Sequence, residues 1–171
     1  MSVMLSIAML VAADDGAMVR CALAKTPAAE RTAMQNATLA SVTRGTPPTS
    51  QTEALIGKLR GRAGECQPGS GAVDSRAGEI AVASLVVETL SNALQSQGVD
   101  VLAINARLTR TPPATLDALL AKKRSAEVGA MMTGLQAAAG PKGKTATVSR
   151  LLAGYAFNAA RLGKLFKSTA G

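Results

Sequence analysis

The chain has 171 residues, 47% of them hydrophobic but only 2% aromatic, with no tryptophan, no histidine and a net charge of +8. Without histidine, Ser-His-Asp and Cys-His triads are excluded and the commonest metal ligand is missing; no Ser-x-x-Lys spacing occurs either, which removes the serine nucleophile of penicillin-recognising enzymes. A core built from Ala, Leu, Val and Met, with few strand-favouring aromatics, predicts helices, and the length predicts one domain.

Residues 2–13 form an apolar run too short to cross a bilayer as a helix, which takes about 20 residues. The run has the length of the apolar region of a signal peptide, and Val11-Ala12-Ala13 followed by Asp14-Asp15 spells a cleavage point after Ala13. The expectation is a signal peptide over residues 1–13 and a helical domain over 14–171, periplasmic or secreted. The alternative is a buried first helical turn in a cytoplasmic protein. Cys21 and Cys66 are the two cysteines, and an even pair in an exported chain is expected to be oxidised to a disulfide. Their spacing excludes a CxxC redox motif, and two thiols without histidine make a poor zinc site. In a cytoplasmic protein they would be two buried thiols.

Residues 17–41 are alanine-rich, and Thr26-Pro27 offers a cap and first-turn proline for a helix reaching about Ser41. Thr49 or Ser50 stands before the next helix, with Glu53 three residues after Ser50 as a capping box. QPGSGAVD, 67–74, is a turn-rich loop. Residues 77–95, running up to Gly98, are apolar round most of a helical circumference. Ser84, Glu88, Ser91, Asn92 and Gln95 share one narrow face, which marks a buried central helix. Residues 80–87 alone also fit a buried strand, but the length of the whole segment favours the helix.

The second half then repeats part of the first. TRGTPPTSQTEALIGKLR at 43–60 aligns with TRTPPATLDALLAKKR at 109–124, and Ser75-Arg76 and Ser149-Arg150 both stand near the start of the next apolar helix. This suggests a degenerate duplication of a helix–loop–helix unit, with coincidence in an alanine-rich chain as the alternative. The expected fold is all-α, a single-domain bundle of about six helices with a disulfide-stapled half (14–98) and a basic half (99–171).

The arrangement of Cys21, Pro27, the Pro-Pro-Thr-Ser helix start, Leu59, Cys66-Gln67-Pro68-Gly69 and an Arg-x-x-Glu-led apolar helix (Arg76, Glu79) resembles a group of small exported alphaproteobacterial proteins with no assigned activity. The resemblance covers roughly residues 5–97. It implies a secreted, disulfide-containing helical protein and supplies no catalytic residue.

Charge is unevenly placed. Residues 1–100 hold eight basic and nine acidic side chains, net −1, whereas 101–171 hold eleven and two, net +9. In a helix expected over Ala146 to Lys167, Val148, Leu151, Leu152, Tyr155, Ala159, Leu162 and Phe166 fall on one arc. Arg150, Arg161 and Lys164, with Lys167 at the edge, fall on the other. Together with Lys142 and Lys144, and with Phe157 exposed among them as a wedge, they form a candidate face for an anionic partner, either a phospholipid headgroup or an acidic envelope polymer. The plain alternative is a solvated face over a core-packing stripe. Nucleic acid is the third reading, for a cytoplasmic protein: basic charge gives nonspecific phosphate binding, with no aromatic platform or reading motif beside it.

AAGPKGKT, 138–145, spells a permissive phosphate loop. A true one follows a strand, whereas the preceding EVGAMMTGLQAAA reads as helix, so an interhelical turn broken by Pro141 is expected instead. Glu79 and Glu88 are the carboxylates nearest apolar surroundings, but nine residues apart on a helix they face different ways. The reading is a non-enzymatic structural or binding protein of the bacterial envelope, with no cofactor and no metal, and docking of the basic helix on an anionic surface as the second reading.

Overall fold

The computed structural model describes residues 13–67 and 75–167, and every regular element among them is helical. The signal peptide expected over 1–13 lies outside the described residues except for Ala13. The described residues form eight α-helices and one 3-10 helix, more than the six or so expected. They gather into two compact units. One holds the described residues up to Thr89 and those from Leu162 onward, the other Leu90–Arg161.

In the first unit, α1 (Ala13–Lys25) and α2 (Ala28–Arg44) are separate helices. Pro27 parts them: it has no N–H to donate, and its fixed φ suits a helix entry. Thr26 is not the expected cap. Its buried hydroxyl turns back and donates to the Ala22 carbonyl at 2.8 Å, and no side chain caps α2. α3 (Ser50–Glu65) starts at Thr49, whose hydroxyl accepts from the Thr52 N–H at 3.2 Å. Of the two caps expected it is thus Thr49 that serves; the Ser50–Glu53 box does not form, and Glu53 is left as a first-turn acid that favours the positive end of the helix dipole.

α3 packs against both α1 and α2. The Cys21–Cys66 disulfide, with its Cα atoms 5.9 Å apart, ties α1 to the end of α3. Glu30 on α2 takes Arg62 at 2.6 Å and Lys58 at 3.2 Å from α3. α4 (Ser75–Ser96) crosses α3 where Gly78 meets Arg60: a Cβ on Gly78 would lie 2.8 Å from the Arg60 Cβ. Arg60 then reaches the neighbouring Glu79 at 2.7 Å. Arg76 donates from Nε and Nη2 to the Leu165 carbonyl, at 3.1 and 3.0 Å, and from Nη2 to Asp15 at 3.4 Å. Leu165 lies in the last turn of α8 (Ala146–Lys167), where carbonyls lack helical partners and a cation is favoured. By length and composition α4 could cross a membrane, but most of it is buried inside the protein, as befits a core helix.

In the second unit, α4 ends at Gly98, in the left-handed conformation at φ 77°. Asp100 caps α5 (Val101–Thr109) by accepting from the Leu102 and Ala103 N–H groups. This helix has nine residues and was not expected from the sequence. α6 (Pro113–Leu120) and α5 both pack on α7 (Ala126–Ala138), which Ser125 caps through the Val128 N–H. Tyr155 of α8 is buried and donates to Asn105 of α5 at 2.7 Å. Ser91, expected on the polar face of the central helix, is fully buried and its hydroxyl finds no partner.

Both Thr-Pro-Pro stretches stand at a junction of two helices, α2–α3 and α5–α6. They enter the second helix in different registers: α3 starts two residues after Pro48, whereas Pro113 is itself the first residue of α6.

Candidate anion-binding surface

The stretch AAGPKGKT supplies a turn, with no strand before it among the described residues. Gly140, left-handed at φ 71°, leads into a 3-10 helix (Gly140–Lys144) packed on α7. Gly143 lies against the Gln136 carbonyl, in a space a Cβ would fill. The Thr145 hydroxyl accepts from the Val148 N–H at the start of α8 and donates to the Lys142 carbonyl at 2.9 Å. That hydroxyl is engaged in capping, so the resemblance to a phosphate loop ends at spelling.

α8 spans the residues expected of it, and Val148, Leu151, Leu152, Tyr155, Leu162 and Phe166 are buried. Ala159 is half-buried, and Ala156 takes a place in the core instead. Of the proposed anion face, Lys142, Lys144, Arg150, Lys164 and Lys167 are exposed and Arg161 is half-buried. Phe157 is also half-buried, so part of its ring is covered. Arg150, Arg161 and Lys164 each have a partner within the protein. Lys142 stands close to the end of α4, since a Cβ on Gly98 would lie 3.5 Å from its Nζ. Several cations of the expected face thus also serve the fold.

A second group of cations was not singled out from the sequence. Lys122, Lys123 and Arg124, in the turn from α6 to α7, are all exposed. Among the described residues none of the three forms a side-chain hydrogen bond or ion pair. Lys122 has φ 54° and is the one non-glycine left-handed residue described. Its N–H donates to the Leu119 carbonyl and that of Lys123 to the Ala118 carbonyl, both at 2.9 Å. These two bonds make the Schellman closure that normally carries glycine at the left-handed position. The available signal was the sequence AKKRS after an apolar helix, but without glycine or proline it did not read as a fixed turn.

Within the first unit, an open groove of about 480 Å³ is lined by Arg20, Leu23, Arg31, Gln35, Leu85 and Glu88, among others. Arg31 is held there by its bond to the Leu23 carbonyl at 3.0 Å. With two guanidinium groups and a carboxylate on its walls, the groove presents charge of both signs. Glu79 is committed to Arg60, so the two carboxylates considered from the sequence stand in different settings. No group of three or more His, Cys, Asp or Glu side chains suited to a metal occurs among the described residues.

No protein-family model, curated protein or solved structure matches this chain.

Proposed function

We propose that the protein is a non-enzymatic helical protein of an oxidising compartment, the bacterial periplasm or exterior, which associates with an anionic surface through its basic C-terminal half. The observation that carries this reading is the segregation of charge: the whole excess of positive charge lies in residues 101–171. Oriented charge of this kind raises the local concentration of an anionic partner and speeds encounter. The disulfide supports the compartment, because such bonds persist where the cytosolic reducing systems do not reach. The resemblance to small exported proteins points the same way.

The test is binding of the full chain to vesicles containing phosphatidylglycerol and, separately, to polyphosphate. Binding is expected at low salt and should be lost near 1 M, where the screening length falls to about 3 Å. Binding that survives such salt, or no binding to either probe, would count against the reading. Export is tested by intact mass of the protein from its native cell. A chain beginning at Asp14 that accepts two alkyl groups only after reduction is expected; a full-length chain with two free thiols would place it in the cytoplasm.

A further inference from the structure

We infer that the turn formed by Lys122, Lys123 and Arg124, with the leucine face of α6 beside it, is the element that docks on anionic phospholipid. The inference rests on the anionic-surface reading above and locates it.

Three observations lead there. First, none of these three adjacent cations has a side-chain partner among the described residues, whereas Arg150, Arg161 and Lys164 on α8 do; Lys142, Lys144 and Lys167 are likewise unpaired but are spread over two elements. The acids nearest in sequence are occupied elsewhere. Asp117 has a partner within the protein, and Glu127 stands in the first turn of α7, at the positive end of that helix dipole. Residues 107–124 contain five basic side chains and one acid.

Second, the turn holds a lysine where the backbone favours glycine. Three other left-handed positions, at the ends of α2, α4 and α7, are Gly45, Gly98 and Gly140. At the end of α6 the same conformation carries Lys122, with both closing hydrogen bonds formed. A strained backbone kept in a fixed turn points to a role for the side chain it displays. The closure also spares the three cations part of the ordering that a flexible basic segment would undergo on binding.

Third, the helix leading into the turn packs on α7 without covering its leucines completely. Leu116, Leu119 and Leu120 are only half-buried, at spacings that place them on one face of α6. A soluble polyanion would use the charges and ignore these leucines. A bilayer uses both, because headgroups attract the cations while the side chains beside them enter the boundary with the acyl chains.

Each cation near an anionic leaflet strengthens binding about fivefold, so removing three should weaken it on the order of 100-fold. The experiment is flotation of the full chain with phosphatidylglycerol–phosphatidylcholine vesicles, compared with binding to polyphosphate. The triple variant Lys122→Gln, Lys123→Gln, Arg124→Gln is set against a charge-matched control, Lys142→Gln, Lys144→Gln, Lys167→Gln. Glutamine keeps the left-handed strain at 122, so the two proteins differ from wild type by the same net charge and helical content by circular dichroism should be unchanged. The turn variant is expected to lose vesicle binding about 100-fold and the control far less. Leu119→Ser should weaken vesicle binding while leaving polyphosphate binding alone. If wild type binds vesicles and both triple variants weaken equally, the turn is not the docking element, although the charge reading stands. If wild type binds polyphosphate but not vesicles, lipid is the wrong partner. If it binds neither, both readings fall.

Discussion

At Lys122 the backbone conformation and the side chain disagree, and the disagreement is measurable. A left-handed L-residue is disfavoured by roughly 1–2 kcal/mol relative to its ordinary conformation, whereas glycine adopts it freely. Lys122→Gly should therefore raise unfolding stability by about 1 kcal/mol in urea, since both closing hydrogen bonds of the turn remain available. Unchanged or lower stability would show that the lysine is not strained. The buried Tyr155 phenol is pushed above its ordinary value near 10 by desolvation, against the lowering effect of its bond to Asn105. Its contribution to stability is complete below the unfolded value and is lost as pH rises through the raised folded one. Tyr155→Phe should remove that alkaline loss and cost about 1 kcal/mol at neutral pH, because the Asn105 oxygen loses its donor. Glu30 has the opposite sign. The Arg62 hydrogen bond, aided by Lys58 and opposed by partial burial, holds its carboxyl below 4.5. The stability it gives is present above the unfolded value and is lost as pH falls through the lowered folded one. Glu30→Gln should flatten the acid limb of a plot of unfolding midpoint against pH, and an unchanged limb would show that other acids set it.

Between helices, the glycines sort into firm and yielding contacts. A Cβ at Gly78 would meet the Cβ, Cγ and backbone Cα of Arg60, at 2.8, 2.9 and 3.1 Å, so α3 and α4 would have to move apart. Gly78→Ala should lower stability by roughly 1–3 kcal/mol. At Gly134 the obstacle is the movable end of the Arg107 side chain, with Nε and Nη2 both 2.7 Å away. There Gly134→Ala should be neutral or stabilising by up to about 1 kcal/mol, as alanine favours the helix; thermal unfolding of the two variants distinguishes the cases. The Cys21–Cys66 bond closes a loop of 45 residues, and Cys21→Ser with Cys66→Ser should lower stability by about 4 kcal/mol on the entropic account.

Helices with a long apolar period were readable in advance: α8 begins and ends where its pattern does, and α4 is recognisable as core. What escaped were features decided by contact or by very short range. α5 is too short to be stable alone and depends on the Asp100 cap and on packing against α7. Thr26 had two hydroxyl partners open to it and took the preceding turn. The burial of Ser91 follows from what covers that stretch of α4, which periodicity does not encode. The uncommitted cations of the α6–α7 turn were hidden for the same reason, since only coordinates separate a charge that holds the fold from one that faces outward.

For the molecule as a whole, the order in which the chain is made bears on how it closes. The Arg76 guanidinium contacts both Asp15 and Leu165, and the second contact spans 89 residues. A chain emerging N-terminus first exposes Cys21 and Cys66 early, so their oxidation need not wait for the rest. The unit from Leu90 to Arg161 is continuous in sequence and can assemble as it appears. The first unit lacks its last strip of helix until Leu162 and the residues after it arrive. Arg76 is thus a late fastener: an interruption of synthesis shortly before Leu165 would leave a chain whose earliest helices still await their final partner.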